Sequence, residues 1–237
     1  MFRSMIFKTG IFLVTFIASS LSAQSGEQTW VKLETGSAMI LDPVTGTWSP
    51  LAEKERIPVN TFILTRQSTR LMVFSEVNAL ECPANAYFWV ADVLVKDRNE
   101  LMHQLVQIEA SQLPSPGNRK RTDSVAGLTY GKESPTDSTA VEIPFRTERL
   151  EAVRWFARNS RQDAALLTLK RAMVKFPDLY RNPELVELLF KLYESQQLWG
   201  SLFEESRRLM EKPGSPSIAS RLKQWNDLAR KQLTDKN

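Results

Sequence analysis

From about Trp30 to about Val95 the apolar residues come in short runs with alternation, divided by turn chemistry, which predicts an all-β unit. Asp42-Pro43-Val44-Thr45-Gly46 separates a strand around Ser37 to Leu41 from the next, and Pro58-Val59-Asn60 leads into Thr61 to Thr65. Gln67-Ser68-Thr69 then precedes Leu71 to Phe74, and Pro83-Ala84-Asn85 precedes the run Ala86 to Val95. That run sets Tyr87, Trp89, Ala91, Val93 and Val95 on one face and Phe88, Val90, Asp92 and Leu94 on the other. Both faces are mostly apolar, so the pattern predicts a central strand buried on both sides. After Asn99 the period lengthens: Leu101, Leu105, Ile108 and Leu113 lie at helical spacing, predicting a short helix against the β unit.

Gln112 to Val141 loses periodicity. Pro114, Pro116, Gly117, Gly127, Gly131 and Pro135 interrupt a stretch rich in Ser, Thr and charge, which reads as a disordered linker carrying the basic cluster Arg119-Lys120-Arg121. From Phe145 the pattern is helical. Leu150, Val153 and Ala157 form one stripe, and Ala165, Leu169, Ala172, Met173 and Phe176 form a second that Pro177 ends. Asn182 caps a third helix with Pro183 at its first position, and its two stripes, Leu185/Leu189/Leu192 and Val186/Phe190/Tyr193, require cover on two sides. Trp199, Leu202, Phe203, Leu209 and Met210 mark a fourth helix; Ile218, Leu222, Trp225 and Ala229 mark a fifth.

Ahead of these units, Arg3 and Lys8, the apolar run Ile11 to Ala18 and the small residues Ser19, Ser20, Ser22 and Ala23 have the layout of a secretory signal peptide. The run is short of the roughly 20 apolar residues of a spanning helix, so cleavage after Ala23, with Ser22 as the alternative site, is expected rather than an uncleaved anchor. The expected organisation is residues 1–23 signal peptide, 30–110 β domain with a short following helix, 111–143 linker and 144–237 helical domain. The class is multidomain, all-β of sandwich type followed by all-α. Of the formal charge of +4, two come from Arg3 and Lys8, which leaves no basis for expecting a nucleic-acid partner. Cys82 is the only cysteine, so no intramolecular disulfide forms, and a buried apolar role is expected for it.

Several residues of the β unit carry a resemblance. The order Gly36, Trp48-Ser49-Pro50-Leu51, Ile57, Thr61, Thr65, Ser68, Leu71, Phe74, Leu80, Pro83, Asn85 and Tyr87 resembles a FecR-type domain over roughly 60 residues. The chain has Val59-Asn60 and Glu76-Val77-Asn78 where that family often has Gly-Asp and Asp-Gly pairs. In the helical part, Ala165, Leu169, Ala172 and Pro177 are similar to the second helix of a tetratricopeptide repeat, whose small residues let paired helices approach. The next copy, counted back from Pro213, offers Ser201, Glu205 and Arg208, a poor fit. Two degenerate hairpins plus a capping helix are expected, with an ordinary antiparallel bundle as the competing arrangement.

Candidate chemistry is sparse. His103 has no second histidine or HExxH partner, no Gly-x-Ser-x-Gly turn presents a nucleophile, and no phosphate-binding glycine loop occurs. The sequence therefore points to no enzyme, cofactor or metal. Trp89, Trp199 and Trp225 fall on apolar stripes as core, leaving Trp30, Trp48 and Trp155 as candidates for a sugar-binding surface. Arg154, Arg158 and Arg161 share a predicted helix face, and the tetratricopeptide resemblance implies that Arg154, Arg158 and Lys191 lie where such grooves hold ligands. The leading expectation is an exported, periplasmic, non-enzymatic scaffold that binds a protein of the cell envelope, with no transmembrane span after leader cleavage. The alternative is an extracytoplasmic signalling component, implied by FecR-type regulators, acting through a separate membrane partner.

Overall fold

The computed structural model describes residues 27–41, 46–75, 79–111, 145–211 and 216–235. The signal-peptide reading and almost all of the linker reading lie outside the described residues. Within them an antiparallel β region is followed by a helical one. The strands are β1 (Gln28–Thr35), β2 (Ala38–Leu41), β3 (Trp48–Pro50), β4 (Lys54–Pro58), β5 (Phe62–Thr65), β6 (Arg70–Phe74), β7 (Ala79–Cys82) and β8 (Tyr87–Trp89). They form two four-stranded sheets, ordered β4-β1-β6-β7 and β3-β2-β5-β8.

Alternation decides which side chains meet between the sheets. Val31, Ile57, Leu71 and Val73 of the first sheet and Ile63 and Phe88 of the second are buried. The turns are set by backbone chemistry. Gly36 has φ of +81°, and a Cβ there would stand 2.6 Å from the Thr69 Cα, so only glycine passes. Thr65 Oγ1 donates to Pro83 O at 2.7 Å and accepts from Ala86 N at 2.9 Å, pinning the turn before β8.

The run Ala86 to Val95 departs from its prediction. Only Tyr87–Trp89 is strand, at the edge of its sheet, and Val90–Val93 turns into a single helical turn, α1. A run that is apolar on both faces satisfies either period. Here its second cover is a helix of the C-terminal region rather than another strand.

The remaining helices are α2 (Arg98–Ala110), α3 (Arg146–Arg158), α4 (Gln162–Lys175), α5 (Pro183–Ser195), α6 (Trp199–Glu211) and α7 (Pro216–Thr234), with a 3-10 turn at Pro177–Arg181. Asp97 caps α2 by accepting from Glu100 N at 2.9 Å, and Asn182 caps α5 by accepting from the Glu184 and Leu185 amides. Each helix from α3 to α7 packs on the next, while α1, α2, α3 and α5 all pack on α4. Residues 164–170 of α4 are accordingly buried without a break. One hydrophobic core runs from Val31 and Ile63 through Phe88 to Phe156 and Leu169, so packing as well as chain joins the two regions. Among the described residues, no helix is long and apolar enough to cross a membrane.

Candidate functional site

The predicted basic face is partly assembled. Arg154 and Arg158 stand one turn apart on α3, both exposed, because α3 buries only Ala152, Val153 and Phe156 on its opposite side. Arg154 Nη1 lies 2.6 Å from Glu151 Oε1, an exposed pair that contributes little to stability and can open to another carboxylate. Lys191, on α5, is 2.9 Å from Glu187 Oε1, and its hydrogen bond holds that carboxyl below its usual range. Glu187 also takes Arg221 from α7. Arg154 and Arg158 thus share α3, whereas Lys191 stands on α5 in a cluster with Glu187 and Arg221.

Arg161 corrects the shared-face expectation. α3 ends at Arg158, and Arg161 stands at the start of α4 with Nη2 2.6 Å from Val93 O, turned toward the β region. Helical spacing cannot be extended through a chain reversal, and Ser160 makes that reversal at φ of 60°.

Sequence reasoning missed the seam to which Arg161 belongs. Asp92 on α1 is fully buried, and both of its carboxylate oxygens accept from Arg171 Nε, at 3.0 and 3.1 Å. Burial pushes its carboxyl up to about 6, against the lowering effect of Arg171 and then Arg149. The Arg171 guanidinium lies 3.8 Å from the centre of the Trp89 ring, and that of Arg149 lies 4.1 Å from Tyr87. Phe62, Tyr87 and Phe145 stack in sequence at 5.3 and 5.2 Å, with Trp48 edge-on to Phe145 at 5.5 Å. At one end the seam opens into a cleft of about 350 Å³ lined by Lys96, Asp97, Arg98, Arg161 and Asp163 among others. A charged residue in an apolar strand run, Asp92, was the signal available in the sequence.

A second buried network crosses the helices. Lys170 on α4, with no exposed surface, reaches Glu205 of α6 at 3.2 Å and Glu109 of α2 at 3.5 Å. Arg208 bonds Glu205 at 2.5 Å and Tyr180 Oη at 2.9 Å. Desolvation raises the Tyr180 hydroxyl, reinforced by Glu205. Glu205 and Arg208 are the residues that fit the repeat pattern poorly. A charge network here fills the place where small residues would let helices close.

The other expectations are placed as follows. Cys82 on β7 is buried and its thiol is pushed upward by desolvation. His103 is exposed on α2 beside Gln107. Trp89, Trp155, Trp199 and Trp225 are half-buried, whereas Trp30 and Trp48 reach the surface. Among the described residues no three His, Cys, Asp or Glu side chains are grouped to hold a metal. Compared with protein-family models, curated proteins and solved structures, the chain matches none at significance.

Proposed function

We propose that the protein is an exported, non-enzymatic binding or scaffold protein, in which a FecR-like β domain carries a tetratricopeptide-like helical region that holds a protein partner in the cell envelope. The observation that carries this reading is the run of helices α3 to α7, each packed on the next, with Arg154 and Arg158 side by side and exposed on its first member. Two cations one turn apart suit a carboxylate-rich or carboxylate-ended segment. Lys191, on α5, is a separate cation available to the same partner.

The FecR-like reading is supported by where its residues fall. Gly36, Ser68 and Asn85 occupy positive-φ positions, and Leu51, Ile57, Thr61, Thr65, Leu71 and Tyr87 are buried. Export is supported by the layout of residues 1–23. Its test is the mass of the protein recovered from the envelope fraction, expected to begin at Gln24.

Partner binding is tested by capture from an envelope fraction with the wild type and with Arg154→Glu/Arg158→Glu. The double variant is expected to keep its helical circular dichroism, since exposed substitutions shift stability by less than about 0.5 kcal/mol each, and to lose salt-sensitive partners. Capture of the same proteins at the same salt by both forms refutes the reading.

A further inference from the structure

The solvent face of the first sheet carries a second arrangement, independent of the helical surface. Strand register aligns Arg56, Trp30, Phe74 and Ala79 in one row across β4, β1, β6 and β7. The adjacent row is Lys54, Lys32, Met72 and Glu81. Trp30 keeps 44 % of its surface exposed although it sits on a strand with neighbours on both sides. Lys54 Nζ and the Arg56 guanidinium lie 5.2 and 5.6 Å from the centre of its ring.

Charge is distributed unevenly on this face. Glu34 takes both Lys32 and Arg70, at 3.3 and 3.2 Å, and Glu81 takes Arg70 at 3.4 Å. Lys54 and Arg56 make no ion pair among the described residues. Two cations with no carboxylate partner among the described residues therefore flank Trp30, the large exposed aromatic of the sheet. A cation held beside an indole loses part of its hydration, and its attraction for an incoming anion is strengthened relative to a freely solvated lysine.

We infer that this face binds an anionic polysaccharide, with the apolar C–H face of a pyranose ring stacked on Trp30 and its carboxylate or sulfate held by Lys54 and Arg56. An acidic peptide would use the cations and leave the indole idle. A membrane surface would need apolar side chains protruding together, whereas Phe74 and Met72 are half-buried in a flat sheet beside Trp30. A single nucleic-acid strand shares the stacking chemistry but draws on a longer track of phosphate contacts than two free cations supply. An open, flat face suits a polymer that runs across strands better than a small molecule, which needs a concave pocket.

The test uses the full chain as exported and affinity electrophoresis through gels containing polygalacturonate, the same polymer methyl-esterified, or neither. Retardation is expected with the acid form and not with the ester, weakening as salt rises. Trp30→Ala and, separately, Lys54→Gln/Arg56→Gln should each weaken retardation about tenfold, while Trp30→Phe, which keeps a ring, should lose less. Lys54→Gln/Arg56→Gln should melt as the wild type does, and both Trp30 variants should keep one cooperative transition, lowered for alanine because part of the indole rests on the neighbouring strands. Arg154→Glu/Arg158→Glu should bind the polymer unchanged, separating this site from the helical one. The inference is overturned if the acid polymer does not retard the wild type, or if either variant at the sheet binds as the wild type does. Stronger retention of oligo-dT or of phosphatidylglycerol vesicles than of polygalacturonate overturns it equally.

Discussion

Replacing Arg171 by alanine removes the cation that faces a fully buried carboxylate, and the size of the effect follows from the protonation of Asp92. In the wild type that carboxyl titrates at about 6, against an ordinary 3.8. A folded-state value above the unfolded one means the folded chain binds the proton more tightly, so this group's contribution to stability is full at low pH and declines as pH rises through 6. Without Arg171 the largest lowering influence is gone and the folded value climbs further. At pH 5 Asp92 is protonated in both folded proteins, and the charge-dependent difference between them is close to zero. At pH 8 the variant must either hold an unpaired buried carboxylate or protonate it two pH units above the wild-type value, which costs about 3 kcal/mol at roughly 1.4 kcal/mol per pH unit. A pH-independent loss of about 1 to 2 kcal/mol from the vanished stack on Trp89 adds to both. Urea unfolding of the two proteins at pH 5 and pH 8 reads this directly, the gap widening by about 3 kcal/mol at the higher pH. A gap of equal size at both would show that Asp92 does not titrate as its burial implies. Asp92→Asn should remove the carboxyl's own pH dependence between about 4 and 6.

Three further outcomes follow from the packing. Gly36→Val forces a branched side chain into positive φ and onto Thr69, and should lower stability by about 2 to 3 kcal/mol in thermal or urea melts, whereas a change of a few tenths would mean the turn can relax. Cys82 should resist an aromatic disulfide reagent at pH 8 under native conditions and react at the rate of unfolding, which stopped labelling and mass measurement can follow. A protease site inserted after Gly117 should, once cut, yield two fragments that still co-elute by size exclusion, because Phe88 packs edge-on to Phe156 at 5.8 Å within a shared core. Adding Phe156→Ser should separate them.

Much of the architecture is legible in the chain because each element announces itself locally. The strands between Trp30 and Phe74 alternate, and the Asn182-Pro183 cap and the stripes of α4 and α5 appear where their spacing puts them. What is lost is whatever depends on a partner distant in sequence. Ala86 to Val95 is apolar on both faces, and nothing local says that α3 and α4, some seventy residues on, supply the second cover. Arg161 reads as the continuation of a helix face because spacing does not register the reversal at Ser160. Trp199 and Trp225 pack, half-buried, against the core as their stripes imply, whereas Trp89 is half-buried outside it under the Arg171 guanidinium, 3.8 Å from its ring centre. Trp30 falls off the apolar stripes in the sequence, and what strand pairing alone adds is the pair of cations beside it, Arg56 directly across on β4 and Lys54 two residues away.

The bonds at the seam differ in kind from the packing around them. Aromatic contacts such as Phe88 on Phe156, edge-on at 5.8 Å, fix ring orientation and shape but single out no one polar partner. The bonds from Arg171 to Asp92, from Arg161 to Val93 O and from Arg98 to Gln197 O are directional and short of alternatives, because each acceptor belongs to a fixed backbone or buried carboxylate. Displacing the helices along the sheet would strip Arg171 from Asp92, which must then protonate or stay ionised and unpaired in a buried site, a cost either way. The three arginines thus act as a register lock, and they set the exposed α3 face and the Trp30 sheet face at a fixed separation on one body. On the reading proposed above, with a protein partner at one surface and a polymer at the other, that fixed relation matters more than additional apolar area.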